Sequence, residues 1–330
     1  MTKRIAAITM ARNDAFFVNR WVSYYGHELG EKNLYIYLDG EDQVIPDGVG
    51  DANVTKMPHR ELSRTAGDKH RIGLLSDLAA KLFNEGYDIV IGCDCDEFLV
   101  ADPDTGKSLA EYLSGIKNRK TVSGLGLDVG QDMNAEPTLD TSKPFLTQRQ
   151  YAMLSTRYTK PVVLFNTKGK NCKKVRDLCA NKPHDVRQSD AGVYNTSNRI
   201  NKTSGDLDRN NNHVIRCNSY PRWGSGFHKV RGTNFHIDPN LYLLHFGMVD
   251  YQMLQNKALG RPASWKNHLD RQIDRTLGVI TRSKRRDESN MKIARRMQTI
   301  LRPPYAWNKP FMLGIKLVTT IPQRFKKTGI

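Results

Sequence analysis

Two aspartates separated by one residue, Asp94 and Asp96, follow directly after the apolar run Ile-Val-Ile-Gly at 89–92. Such carboxylates suit Mg²⁺ or Mn²⁺, which accept one or two protein carboxylates and leave positions open for phosphate oxygens. A cation held there would act as a Lewis acid on a departing pyrophosphate. If the pair ends a strand, both carboxylates face the same way, so one can bind metal while the other holds a ribose or a metal-bound water.

The context of the pair strengthens this interpretation, because an isolated D-x-D occurs in many chains by chance. The preceding run is apolar, and Glu97-Phe98-Leu99 returns to a buried segment. The alternative is an acidic surface turn. Cys93 and Cys95 bracket Asp94, but five cysteines without a C-x-x-C pair favour reduced, buried thiols over a zinc site or disulfides.

The elements that must position these aspartates alternate between strand and helix over the first hundred residues. Strands are predicted at 5–10, 34–38, 53–57 and 89–92, and helices around 16–25 and 72–82, where apolar residues recur at helical spacing. Alternation of this kind predicts an α/β fold with a doubly wound parallel sheet and helices on both faces.

Polar residues follow three of the predicted strands: Arg12, Asp39 and the Asp94/Asp96 pair. Ligands of doubly wound sheets bind at the carboxyl ends of the strands, near the point where the strand order reverses. These side chains are therefore expected to meet at one edge of the sheet.

The later chain is less regular. Residues 168–222 are rich in Lys, Asn, Arg and Ser and are interpreted as a long loop or insertion that covers one side of the site. Regular structure is expected again at 226–230 and at 241–246, followed by helical patterns at 249–259 and from 263 to about 301. A tail with four prolines begins at 302.

The net charge of +17 is unevenly distributed. Residues 1–100 carry 11 Lys/Arg and 16 Asp/Glu, whereas residues 281–330 carry 13 Lys/Arg and 2 Asp/Glu. The basic segment 281–330 suggests contact with an anionic surface, either a phospholipid leaflet or nucleic acid; the alternative is a solvated tail. No apolar run is long enough for a spanning helix, and Arg12 interrupts the N-terminal run too early for a signal peptide. We therefore expect a cytoplasmic protein, peripheral on the inner face of the plasma membrane.

Several motifs follow one another along the chain: Thr9-Met10-Ala11-Arg12-Asn13-Asp14, Trp21-Val22-Ser23-Tyr24-Tyr25, Gly30, Asp39-Gly40, Asp94-Cys95-Asp96-Glu97-Phe98, Gly226-Phe227-His228, Leu244-His245-Phe246 and Lys257. In this order they resemble the family 2-type glycosyltransferases, in particular the branch that reads "RNE…WV-x-YH…LG" and then "D-x-DEF". The resemblance covers residues 5–100 well and 224–260 moderately. Asp14 stands where the family usually has Glu, which keeps the charge and shortens the reach.

The resemblance implies a GT-A type fold with a Rossmann-like mixed sheet. It places a glycosyltransferase domain at 1–262, with a nucleotide-sugar half at 1–120 and an acceptor half at 121–262, before a basic helical extension at 263–330. The implied donor is a nucleotide-diphosphate sugar, and the implied acceptor is a cell-surface polysaccharide, a lipopolysaccharide or a lipid-linked glycan.

Individual roles follow from the same resemblance. Asp39 is expected near the base or ribose and Arg71 near the phosphates, and a late histidine completes the metal shell: His245 first, with His228 and His236 as alternatives. The residues expected to bind the nucleotide sugar are Arg12, Asp14, Asp39, Arg71 and Asp94, and those expected to bind Mn²⁺ or Mg²⁺ are Asp94, Asp96 and His245.

An inverting enzyme also needs a carboxylate that takes the proton from the acceptor hydroxyl. Asp128, Asp132 and Asp250 are the candidates, and a retaining enzyme would need no base in that place. The sequence leaves two other functions to consider. One is nucleic-acid binding or phosphodiester cleavage, which lacks a recognisable module or a stacking platform, so no nucleic-acid partner is expected. The other is a related module that binds nucleotide or glycan without turnover.

Overall fold

The computed structural model describes residues 3–167, 220–230, 236–259, 263–301 and 316–330. Residues 1–166 and 221–330 form one compact unit. The predicted irregular segment 168–222 lies outside the described residues except at 220–222, and so do Cys172, Cys179 and Cys217.

The first half of the sheet is parallel. Strands β1 (Ile5–Ala11), β2 (Leu34–Asp39), β3 (Asn53–Met57) and β4 (Ile89–Gly92) lie side by side in the order β3-β2-β1-β4. Helix α1 (Ala15–Leu29) connects β1 to β2, and α2 (Arg64–Asn84) connects β3 to β4. Every residue of β1 and β4 is buried, as expected for strands covered on both faces. These predicted elements are confirmed.

The helices bury the apolar stripes that predicted them. In α1, Trp21 and Tyr25 are fully buried, and the helix ends at Gly30, whose φ of 84° lies in the region that favours glycine. In α2, Leu75 and Leu82 are fully buried one above the other along the helix face toward the sheet.

The second half of the sheet is mixed. It contains β5 (Glu97–Ala101), β6 (Thr121–Gly130), β7 (Tyr151–Leu154), β8 (Val163–Phe165), β9 (Ile237–Met248) and β10 (Val318–Thr320). Strand β8 joins the halves, because it pairs antiparallel with both β4 and β6. Strand β9 runs parallel to β6 and antiparallel to β5. The parallel sheet predicted from the residues therefore describes the first half, and the whole sheet is mixed.

The remaining helices are α3 (Leu109–Gly115), α4 (Phe145–Gln148), α5 (Tyr251–Ala258), α6 (Ala263–Arg282) and α7 (Ser289–Leu301). The helical stretch expected from 263 to 301 is broken at 283–288. There the Asp287 carboxylate accepts a hydrogen bond from the Ser289 N–H at 2.7 Å, which starts a new helix. Arg286 lies 2.5 Å from Asp132.

The C-terminal residues are part of the same compact unit as the sheet. Strand β10 pairs antiparallel with β7, and Arg324 forms an ion pair with Asp102 at 2.8 Å. The domain boundaries predicted at 120 and 262 stay predictions. The regular structure expected at 226–230 consists of one 3₁₀ turn at Ser225–Phe227 and a bridge between Trp223 and Val230. Within the described residues, no helix is both long enough and apolar enough to cross a bilayer.

Candidate active site

The strand order reverses between β1 and β4, because the chain proceeds from β1 outward to β3 and then returns to β4 on the other side of β1. Arg12 follows β1 and binds the Asp42 carboxylate with both terminal nitrogens, at 2.9 and 3.0 Å, and also the Asp39 carbonyl. The predicted residues Arg12, Asp39 and Asp94 thus follow strands that end at this edge.

Residues 93–96 form a turn between β4 and β5 rather than a continuation of the strand. The expectation that both aspartates share one strand face is therefore wrong. They contact different partners: Asp94 forms ion pairs with the side chains of Arg71 and Lys160, and Asp96 lies next to His245. Cys93 and Cys95 are unpaired and buried, as expected, and burial raises the pKa of Cys93 to about 12.

Asp94 is held between two cations. Arg71 binds it directly and also binds Asp68 at 3.2 Å, and the Lys160 Nζ lies 3.2 Å from its other oxygen. Although burial opposes ionisation, Arg71 and Lys160 lower the pKa of Asp94 well below its ordinary range. Asp94 is thus a fixed anion whose partner Arg71 also lines the large cavity described below.

Lys160 is a buried charge that no sequence pattern singled out. Its side chain is 4% exposed, and its Nζ lies 2.5 Å from Glu97, whose side chain is fully buried. Burial raises the pKa of Glu97 to about 7, while Lys160 opposes that shift. A buried carboxylate of this kind is stable in its charged form only when a cation accompanies it. Lys160 therefore compensates both Asp94 and Glu97.

Asp96 in the turn before β5, His245 in β9 and Asp128 in β6 form a chain of polar contacts. The His245 Nε2 lies 3.4 Å from Asp96 Oδ2, and its Nδ1 lies 2.7 Å from Asp128 Oδ1. Asp128 and His245 are direct neighbours in the parallel pairing of β6 with β9. Thr276 of α6 donates a hydrogen bond to the other Asp128 oxygen at 2.9 Å. Asp128 therefore orients the imidazole, as carboxylates do for metal-binding histidines.

The two carboxylates also fix the charge of His245. Although burial alone lowers the pKa of His245, Asp96 and Asp128 raise it to about 10. Tyr158 stacks on the imidazole with ring centroids 3.7 Å apart and planes inclined by 14°. The ring is thus held in one orientation by contacts at its edge and its face.

A cation fits the gap between Asp96 and His245. Two ligand atoms that each lie about 2.1 Å from one ion are roughly 3.0–3.5 Å apart, and the Asp96–His245 separation is 3.4 Å. Gly247 keeps this gap open, since a Cβ at that position would lie 2.5 Å from His245 Nε2 and 2.7 Å from Asp96 Oδ2. Among the described residues, no three His, Cys, Asp or Glu side chains gather closely enough to bind a metal by themselves. Water or ligand oxygens would complete the shell, which suits Mg²⁺ and Mn²⁺.

A cavity of about 1100 Å³ opens at the same strand ends. Its lining includes five cationic side chains and the first turn of α2, and helix N-termini favour anions. Only two carboxylates face these cations in the lining. The charged residues and histidines that line it are Arg12, Asp39, His59, Arg60, Arg64, Asp68, His70, Arg71, His228 and Lys229. The excess of positive charge suits a diphosphate.

Asp39 and Asp14, two of the residues expected to bind the nucleotide sugar, line different cavities. Asp39 lines the large cavity, where its carboxylate lies 3.1 Å from His59. Asp14 instead lines an adjoining cavity of about 310 Å³ and forms an ion pair with Lys257 at 3.1 Å. Burial raises the pKa of Asp14, and Asp96 adds to that shift. Asp14 therefore lies near the Asp96 side and not in the large cavity.

The three carboxylates considered as bases all have structural partners. Asp128 binds His245 and Thr276, as described above. Asp132 is 2% exposed and pairs with Arg286. Asp250 caps α5 and forms a fully buried ion pair with Arg149 at 3.0 Å. Because each is buried and already bonded, the expectation that one of them serves as the base has no support in the geometry.

The alternative histidines also lie elsewhere. His228 lines the large cavity. His236 precedes β9, whereas His245 lies near the other end of that strand. Nine residues of extended chain span about 30 Å, so His236 is far from Asp96.

Lys160 and Tyr158 are the site residues that sequence patterns did not reveal. Both lie in the irregular connection between β7 and β8, which has no hydrophobic period. The one signal was a lysine directly before the apolar run Pro-Val-Val-Leu-Phe at 161–165.

Comparison with known proteins adds little to this geometry. The sequence matches no protein-family model, and it matches no curated protein. Among solved structures that it matches is a mannosyltransferase from Pyrobaculum calidifontis in complex with GDP-mannose and Mn²⁺. That match has 16% sequence identity and a TM-score of 0.26, and it covers 40% of this chain and 37% of the mannosyltransferase. A likeness this weak carries no argument about function.

Proposed function

We propose that this protein is a metal-dependent glycosyltransferase that takes a sugar from a nucleotide-diphosphate donor. The observation that carries the proposal is the Asp96–His245 pair, 3.4 Å apart and open at Gly247. It is linked through the neighbouring Asp94 and its partner Arg71 to a large basic cavity.

The donor would lie with its diphosphate among the cations of the large cavity. Arg71 and the first turn of α2 supply positive charge toward the phosphates. Asp39 has an acceptor-only carboxylate that can receive hydrogen bonds from a ribose or a base, and Arg12 fixes the position of the Asp39 backbone through its carbonyl.

Asp96 and His245 would bind Mn²⁺ or Mg²⁺. When bound, such a cation supplies Lewis-acid stabilisation of the leaving diphosphate. Asp128 keeps the imidazole oriented with Nε2 toward Asp96. Lys160 and Arg71 hold Asp94 ionised beside this centre. These preorganised charges act in a half-buried site, where electrostatic stabilisation is stronger than in water.

We further propose that the acceptor is a polysaccharide, a lipopolysaccharide or a lipid-linked glycan met at an anionic membrane face. Helix α7 supports membrane contact, because it exposes Ile293 (46%) and Ile300 (68%) one above the other at helical spacing. Lys292 and Arg296 flank this apolar stripe and are exposed. An apolar stripe beside cations is typical of helices that lie in the interface of anionic bilayers.

The experiment that tests the catalytic proposal is a donor panel. Purified protein is incubated with nucleotide sugars and Mn²⁺, and release of the nucleoside diphosphate is followed by ³¹P NMR. We expect metal-dependent release with one or a few donors, lost in Asp96→Asn. Equal release in EDTA or in Asp96→Asn would contradict the proposal.

A further inference from the structure

A second, small cavity lies on the side of Asp128 that faces α6. Its volume is about 40 Å³. A single water needs roughly 10–15 Å³ by this kind of measure, so the cavity can accept a small polyatomic group. The polar residues that line it are Asp128, Ser155, Thr156, Arg157, Gln272, Arg275, Thr276 and Lys316.

The lining is strongly cationic. Arg157 is held in place by Gln272, whose Oε1 accepts a hydrogen bond at 2.6 Å. Within the described ranges, Arg157, Arg275 and Lys316 form no ion pair with a carboxylate. Asp128 is the one carboxylate in this lining, and both its oxygens are engaged by His245 and Thr276. Three cations around so small a space favour an anion there.

Cations line both cavities. Arg64 lines the large cavity, and Arg157 and Arg275 line the small one. Burial lowers the pKa of His268, and Arg64, Arg271, Arg157 and Arg275 lower it further, so these four guanidinium groups are within electrostatic reach of one imidazole.

The small cavity lies beside the residues of the proposed metal site. Its wall includes Asp128, which directly contacts His245. Tyr158, which stacks on His245, is the chain neighbour of Arg157. A group bound among Arg157, Arg275 and Lys316 would thus lie one layer of side chains from the Asp96–His245 gap.

We propose that the small basic cavity binds a negatively charged group of the acceptor, a phosphate or a carboxylate, so that the acceptor is an anionic glycan. This inference rests on the proposed glycosyltransferase function. The two oxyanions share the chemistry that arginine and lysine recognise, and the hydroxyl of Ser155, which accepts a hydrogen bond from the Arg157 N–H, can donate to either.

The test uses methyl phosphate and acetate as probes on the full chain. Nucleoside diphosphate and Mg²⁺ are first added to saturation, so that the large cavity is occupied. Each probe is then titrated by isothermal calorimetry. We expect millimolar binding of at least one probe to the wild type, weakened at least tenfold in Arg275→Gln and in Arg157→Gln.

Two control variants locate the effect. Lys107→Gln removes an exposed cation elsewhere, and Arg60→Gln removes one from the large cavity; both should leave probe binding unchanged. Binding that is equal in Arg275→Gln and the wild type, or lost only in Arg60→Gln, would overturn the proposal. Arg275 is exposed, so its variant is expected to fold even if Arg157→Gln does not, and melting curves check both.

The same titrations separate the two proposals. If no nucleoside diphosphate binds, with or without Mg²⁺, the proposed function fails. The probe titration without nucleotide then still decides whether an anion site exists at Arg275. If nucleotide binds and the probes do not, the proposed function stands and the anionic acceptor is rejected.

Discussion

The Nε2 atom of His245 lies 3.4 Å from Oδ2 of Asp96, and a Cβ on Gly247 would lie within 2.7 Å of both atoms. The two side chains come from β9 and from the turn before β5, and these strands pair antiparallel with Glu97 beside His245. Sheet pairing thus brings together residues that are about 150 positions apart in the sequence.

Gly247→Ala should weaken metal binding without unfolding the protein. The added methyl group would lie 2.5 Å from His245 Nε2 and so fill the space between the ligands. We expect Mn²⁺ affinity to fall at least tenfold, or more than about 1.4 kcal/mol, in calorimetric titrations. Gly73→Ala is the matched control, because a Cβ there meets nothing within 4 Å; if both variants bind Mn²⁺ as the wild type does, the metal lies elsewhere.

Metal affinity should rise with pH. His245 has a pKa of about 10 without metal, and its Nε2 must lose a proton before it can bind a cation. We expect Mn²⁺ affinity to increase about tenfold per pH unit from pH 7 to pH 8.5, since one proton is released. Competition titrations at several pH values measure this slope, and a flat profile would show that His245 is not a ligand.

The raised pKa of His245 also makes the stability of the metal-free protein depend on pH. The folded-state pKa of His245 is raised above the unfolded value of about 6.5. Its contribution is therefore fully present below pH 6.5 and is lost as the pH rises toward 10. Urea unfolding in EDTA should show the wild type losing stability over this range, with a smaller loss in Asp128→Asn; an identical pH dependence in both proteins would contradict the assignment.

Lys160→Met should destabilise the fold, because it leaves the fully buried Glu97 without its cation. Removing one partner of a buried ion pair costs about 3–5 kcal/mol, and replacing both partners is often nearly neutral. We therefore expect Lys160→Met/Glu97→Leu to be more stable than Lys160→Met alone in urea unfolding. A loss below about 1 kcal/mol for the single variant would contradict the role of Lys160.

Membrane contact through α7 should depend on its apolar stripe. Ile293→Ser combined with Ile300→Ser should weaken flotation with phosphatidylglycerol vesicles, because both side chains are exposed and would enter the interface. Val44→Ser, which changes an 86% exposed side chain elsewhere, is the control. Unchanged flotation of the double variant would show that α7 does not contact the membrane. Equal flotation of the wild type with vesicles made only of neutral lipid would show that binding does not need anionic charge.

The sequence was sufficient for the parallel half of the sheet and for its ligand edge. Apolar runs such as 5–10 and 89–92 predict buried strands when helical patterns separate them. The ends of those strands then place Arg12, Asp39 and Asp94 at one edge of the sheet. The turn at 93–96 could not be predicted from the same pattern, since a D-x-D fits a strand end and a turn equally well.

The rest of the site depends on pairings between distant strands. Asp128 was one of three candidate bases, and its contact with His245 follows from the register of β6 with β9. Lys160 and Tyr158 lie in a connection without hydrophobic periodicity. Only the tertiary structure shows that they contact Glu97 and His245. In the break at 283–288, Arg286 likewise contacts a distant residue, Asp132.

Electron paramagnetic resonance of Mn²⁺ tests the central claim most directly. The account predicts that the wild type binds one Mn²⁺, that a nucleoside diphosphate tightens this binding, and that Asp96→Asn and His245→Ala each abolish the bound signal. A bound-Mn²⁺ spectrum that persists unchanged in both variants, or no bound Mn²⁺ in the wild type with saturating nucleotide, would contradict it.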